Sequence, residues 1–225
     1  SLNSQQQAPW RSSGSTTTPS RHSRSPRTPR STSSSSSSNN IGSLRNFTQV
    51  TNILRLDPSH NSLSTSSLTA LPSTLVSLDI SDNPFHTFPS TILHSQALQA
   101  LNLSSADLHH LPSQLTKLHA LEQLVLINNH LTNLPDAFAA LTRLTLLFLQ
   151  SNEFEAIPPC VFALSGLRNV SFSNNFLQAL PSQFSLLTNL SALDVSSNAI
   201  QKLTALEKCT ALTDLNVAHN RIATL

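Results

Sequence analysis

The 225 residues contain no methionine, not even at position 1, and no tyrosine; they contain one tryptophan, three glycines and two cysteines. With only Gly14, Gly42 and Gly166, no glycine-rich loop of either phosphate-binding type can be written. Cys160 and Cys209 supply neither a disulfide framework nor a metal spacing, and Cys209 falls on an apolar position of the pattern below, as a small buried hydrophobe would. No apolar run approaches the ~18 residues that span a bilayer. No charged-then-apolar leader is visible either. The missing methionine leads us to expect a fragment, a processed product or an incomplete gene model. Leu225 falls in the middle of a repeat with no polar closing segment, so the native protein is expected to continue.

What the chain does have is periodicity. From Leu121 it reads LEQLVLINNHLTNLPDAFAALTR, with apolar residues at Leu124, Leu126, Leu131 and Leu134, Asn129 between them and Pro135 after. The same frame restarts at Ile53, Leu75, Leu98, Leu144, Leu167, Leu190 and Leu212, giving eight units, most of them 23 residues long and the last cut short. Leu124 and Leu126 alternate with Gln123, Val125 and Ile127, the period of a short strand with one face in and one face out. Asn129 stands where the chain leaves the strand and bends, where an Asn side chain can take backbone groups that the bend leaves unpaired. Equivalent asparagines are Asn61, Asn83, Asn152, Asn175, Asn198 and Asn220; the third unit has Ala106 instead, so the row should break there. Pro135, with Phe138 and Leu141 three apart, predicts a helical or 3₁₀ turn on the far side. No single unit can bury its own apolar edge, whereas stacked units can.

The spacing L-x-x-L-x-L-x-x-N-x-L-x-x-L-P resembles the intracellular type of leucine-rich repeat, over everything after about residue 50. The resemblance implies an α/β solenoid: a curved right-handed stack with a parallel concave β-sheet and short helical or 3₁₀ turns on the convex side. The five 23-residue units carry Pro89, Pro112, Pro135, Pro158 and Pro181 and resemble scaffolds that bind small Ras-family GTPases. The unit from Leu190 shortens to 22 residues with Thr204 at the proline position and resembles the class found in phosphatase-regulating proteins. Pro58 replaces a strand leucine in the first unit, which predicts weak strand character there.

The domains expected are a disordered tail at 1–40, an N-terminal cap segment at 41–52 and the repeat domain at 53–225. Residues 1–45 hold Arg11, Arg21, Arg24, Arg27, Arg30, Arg45 and no acid, a charge of +6, against −4 for the remainder, consistent with the net +2. The tail is rich in Ser, Thr, Arg and Pro and cannot offset its ordering entropy by burial. Thr18, Ser25 and Thr28 each precede proline and are candidate phosphosites. A basic, phosphorylation-tuned tail could bind nucleic acid or an acidic surface; read plainly, it is a solvated linker. In the cap, Ile41, Leu44, Phe47 and Val50 fall every three residues.

No catalytic residue, cofactor or metal site is expected. His86, His109, His110 and His130, with Glu153 and Glu155, fall along one edge, where solvated loop residues outweigh a zinc site as a reading. The outward strand positions are polar to acidic at both ends of the stack and apolar in its middle: Val125, Ile127, Leu146 and Phe148, flanked by Gln123 and Gln150. An apolar patch ringed by polar groups marks an interaction site. The expected function is therefore that of a non-catalytic protein–protein interaction scaffold in intracellular signalling, binding another protein on the concave face, with no small-molecule substrate and no membrane span. The rivals are the regulatory region of a larger enzyme (kinase, phosphatase, cyclase or GTPase) and a nucleic-acid-binding tail. Without the cysteine-rich caps usual in secreted relatives, the expected compartment is the cytoplasm, the nucleus being the alternative.

Overall fold

The computed structural model describes residues 33–35, 39–44, 50 and 52–223. Each repeat contributes a three-residue strand: Arg55–Asp57 (β2), Ser77–Asp79 (β3), Ala100–Asn102 (β4), Gln123–Val125 (β5), Leu146–Phe148 (β6), Asn169–Ser171 (β7), Ala192–Asp194 (β8) and Asp214–Asn216 (β9). Together with Ser33–Ser35 (β1) they form one parallel sheet in chain order. Units of equal length keep equivalent residues opposite one another, as in Gln123 against Leu146 and Val125 against Phe148. Parallel neighbours require a crossover, and here it is a five-residue 3₁₀ turn entered from Pro89, Pro112, Pro135, Pro158 or Pro181. Proline suits that entry because its φ is already set and it has no N–H to leave unpaired. In the 22-residue unit from Leu190 the turn shrinks to Thr204–Leu206.

The core runs along the axis of the stack, between the sheet and these turns. Leu124, Leu126, Leu147 and Leu149 point into it with no exposed surface, and Phe138, Phe154, Phe172 and Phe184 fill it from the other sides. Phe154 meets Phe172 edge-on with centroids 5.4 Å apart, and Phe162 meets Phe184 in the same way.

At the N-terminal end the structure differs from the sequence reading. Thr18, Ser25, Thr28 and nearly all of the expected tail lie outside the described residues, but Ser33–Ser35, inside the 1–40 span, pairs with Arg55–Asp57. Strand pairing needs only backbone groups, and the open edge of β2 offers a row of them; apolar content, on which the boundary was drawn, does not report this. In the expected cap, Ile41 N–H donates to Asn61 Oδ1 at 2.8 Å, Leu44 is buried and bridges to Leu68, and Val50 is exposed. The effect of Pro58 is local. It has no N–H for the bond that Ile80 makes to Asn102 O and Leu103 makes to Val125 O, and the β2–β3 ladder has two register pairs where the pairs from β3 to β9 have three.

Candidate functional site

In seven of the eight repeats the bend after the strand is held by an asparagine. Asn129 is buried; its Nδ2 donates to Leu126 O and Ile127 O of its own unit and to Leu103 O of the unit before, at 3.0–3.2 Å. Its Oδ1 accepts from the N–H groups of Ala106 and Leu108. Asn83, Asn152, Asn175, Asn198 and Asn220 bridge adjacent units in the same way, and Asn61 does so toward Ile41. At Ala106 there is no side chain to receive Phe85 N–H, which instead closes a tight turn onto Asn83 O at 2.8 Å. The residue before each ladder position has positive φ, from His60 and Asp82 through Ser105, Asn128, Ser151, Asn174 and Ser197 to His219, all without glycine. Asn128 and Asn174 use that conformation to donate to Ser105 and Ser151 one unit back.

With the bends fixed, the concave face consists of two lateral rows. One runs through the first strand position, Arg55, Ser77, Ala100, Gln123, Leu146, Asn169, Ala192 and Asp214; the other through the third, Asp57, Asp79, Asn102, Val125, Phe148, Ser171, Asp194 and Asn216. Asp57, Asp79, Asn102 and Asp194 each accept from the N–H and hydroxyl of the serine two residues on, so a carboxylate or amide closes the strand end. The Asp/Asn-x-Ser spacing was present in the sequence as a signal for this and was missed. Asp79 is buried, and its carboxyl is held above the usual aspartate range, chiefly by loss of water; bonds from Ser81 and Asn102 oppose the shift and the nearby Asp57 charge adds to it.

The expected apolar patch is rearranged. Val125 and Leu146 are 4% and 8% exposed, so they do not present the open surface expected of them, although both lie outside the core cluster on the other side of the sheet. Strands only about 4.8 Å apart let neighbouring side chains cover them from both flanks. Ile127, Phe148, Gln123 and Gln150 remain half-buried. The side-chain carbonyl oxygens of both glutamines are buried with no hydrogen-bond partner. The concavity lies toward the C-terminal side, where Phe148, Gln150, Asn169, Ser171, Ala192, Asp194, Asp214 and Asn216 line a hollow of about 210 Å³. Only Phe148 and Gln150 are shared with the expected patch. Small side chains at Ser171 and Ala192, between larger ones, make the depression.

On the loop edge, Asp107 bonds His86 and lies 3.2 Å from His130, which also meets Glu153 at 2.8 Å, while His109 stacks on His130. His110 and Glu155 take no part in these contacts. The His86 bond holds the Asp107 carboxyl below the usual range. Among the described residues no group of three or more His, Cys, Asp or Glu side chains is arranged to hold a metal ion, and no helix is long and apolar enough to cross a membrane. Cys160 and Cys209 are free and buried.

The family model described as leucine rich repeat matches residues 96–154 and 165–222. No curated protein matches the chain in sequence. Among solved structures, internalin C2 of Listeria monocytogenes is similar at TM-score 0.73 and 22% identity, over 83% of this chain and 80% of its own. A leucine-rich repeat protein of Leptospira interrogans aligns at TM-score 0.58 and 23% identity, over 77% of this chain and 57% of its own. A plant peptide hormone receptor, RGFR1, solved in complex with RGF2, aligns at TM-score 0.62 and 26% identity; the match covers 82% of this chain and 35% of the receptor.

Proposed function

The chain belongs to the leucine-rich repeat family, and from that premise we propose that it is a non-catalytic scaffold that binds a protein partner on the concave face of its sheet. The fold generally mediates protein–protein interaction. The observation that carries the choice of face is the hollow beside Phe148, where a half-exposed aromatic ring, a depression and the unpaired amide oxygen of Gln150 meet on a rigid sheet. An aromatic at the rim of a concavity on rigid strands is the usual form of a binding hot spot. The binding surface includes Phe148, Gln150, Ile127 and Gln123, with Val125 and Leu146 as covered support beneath. Two buried free thiols support a reducing compartment, the cytoplasm, and intracellular signalling is the role that the 23-residue units imply by resemblance.

The test compares two phenylalanines. Phe176 is 59% exposed and lies away from the concave strands. Affinity capture with the whole chain should lose its partner in Phe148→Ala and keep it in Phe176→Ala. Leu147→Ala, at a fully buried position, should cost about 2–5 kcal/mol of stability, well above Phe148→Ala. Capture that depends on Phe176 and not on Phe148 overturns the assignment of the face.

A further inference from the structure

We propose that the C-terminal half of the concave face recognises an arginine, or less tightly a lysine, on an extended segment of the partner. The inference rests on the concave-face reading and adds its chemistry.

An internal comparison distinguishes the hollow from the rest of the sheet. Asp79 and Asp194 occupy the same row, each followed by an asparagine on the next strand, Asn102 and Asn216. Asn102 donates to Asp79 Oδ2 at 3.0 Å, so both oxygens of that carboxylate are engaged. Asp194 spends Oδ1 on Ser196, and Asn216 turns its Oδ1 to Ala218 N–H; Asp194 Oδ2 receives nothing from its neighbour. Beside it on β9, Asp214 binds Thr213 through Oδ2 alone. Among the described residues neither carboxylate is in an ion pair, whereas Asp82, Asp107 and Glu153 elsewhere each have a histidine. Among the described residues no lysine or arginine lines the hollow. Arg55, the one cation in the two lateral rows, stands six strands from β8, about 29 Å at the usual spacing, several times the Debye length of about 8 Å in physiological salt.

Two further observations point to the kind of group that fits. Gln150 lines the same hollow with its Oε1 buried and without a partner, and each carboxylate keeps one oxygen, Asp194 Oδ2 and Asp214 Oδ1, that receives no hydrogen bond from the described residues. Phe148 and Asp194 are two strands apart, about 10 Å, across Ser171. A guanidinium has five donors and no acceptor, sheds water more readily than an ammonium, and is carried on an apolar stem. With its stem against Phe148 and its head between Asp194 and Asp214, on adjacent strands, an arginine meets the free oxygen of each carboxylate.

The experiment selects random dodecapeptides by display on the whole chain, then titrates the selected peptides. Selected sequences should carry arginine or lysine beside an apolar residue. Changing that residue to glutamine should weaken binding at least tenfold, as should Asp194→Asn with Asp214→Asn in the protein. The chain itself uses asparagine in this row at Asn102, closed on Ser104 as Asp194 is on Ser196, so the variant keeps its strand end; circular dichroism checks this. Peptides that need Phe148 but ignore the two carboxylates overturn the cation inference and leave concave binding standing. Peptides indifferent to both, or no selection at all, overturn both. If peptides bind only after Arg11, Arg21, Arg24, Arg27 and Arg30 are changed to serine, the hollow's occupant is the chain's own basic segment, and the assignment to a partner fails.

Discussion

Removing Asn129 tests the central structural argument. The side chain makes five hydrogen bonds, but they are not equal in consequence. Leu126 O keeps a bond from Asn152 Nδ2 at 2.9 Å, and Ile127 O keeps one from Ser105 N–H at 2.8 Å. The N–H groups of Ala106 and Leu108 and the carbonyl of Leu103 are left with nothing, in residues with no exposed surface. A buried orphan costs about 1–3 kcal/mol, which for three groups sets an upper range that relaxation must reduce. The chain shows how relaxation proceeds: at Ala106, where the ladder already lacks its asparagine, Phe85 N–H folds back onto Asn83 O. If one orphan is rescued in this way, Asn129→Ala should cost about 2–4 kcal/mol. His130→Ala, next along the chain, loses only exposed contacts, to Asp107, Glu153 and the stacked His109, and should stay within about 0.5 kcal/mol. Urea unfolding followed by circular dichroism, with midpoint and slope both fitted, measures the difference. Equal losses for the two variants, or a loss below about 1 kcal/mol for Asn129→Ala, would refute the bridging role.

Two other outcomes follow from charge and burial. Asp79 has its folded-state pKa raised, so its carboxyl contributes most to stability below the ordinary aspartate value, and that contribution is lost as pH rises through the folded value; in an acid-range pH series, Asp79→Asn should remove this decline, and an unchanged slope would show that the carboxylate is not penalised. Burial pushes the Cys160 thiol up to about 11, so at pH 8 its thiolate is roughly a hundredfold scarcer than that of an ordinary cysteine; an aromatic disulfide reagent should label neither Cys160 nor Cys209 until the chain unfolds, and rapid labelling of the native protein would contradict their burial.

The repeat frame, the asparagine positions and the proline entries to the 3₁₀ turns were legible because each depends on one residue type recurring at one spacing. Facing was legible too: Leu124, Leu126, Leu147 and Leu149 are on the core side, and Val125 and Phe148 are on the other. Coverage was not. Alternation along a strand says which way Val125 points, but its exposure depends on Asn102 and Phe148 beside it, residues 23 positions away in each direction. The same lateral dimension hid Asp107, which joins His86 to His130 across two unit boundaries. It also hid the hollow, which exists because Ser171 and Ala192 are smaller than what flanks them across the sheet. In a solenoid the contacts that shape a surface run perpendicular to the chain, so a binding face is read by aligning the units beneath one another and following the columns. Read that way, the third-position column passes from Phe148 through Ser171 to Asp194, an aromatic ring and a carboxylate on either side of a gap, and it is on that order, more than on the apolar character of the middle units, that the proposed recognition of a cation rests.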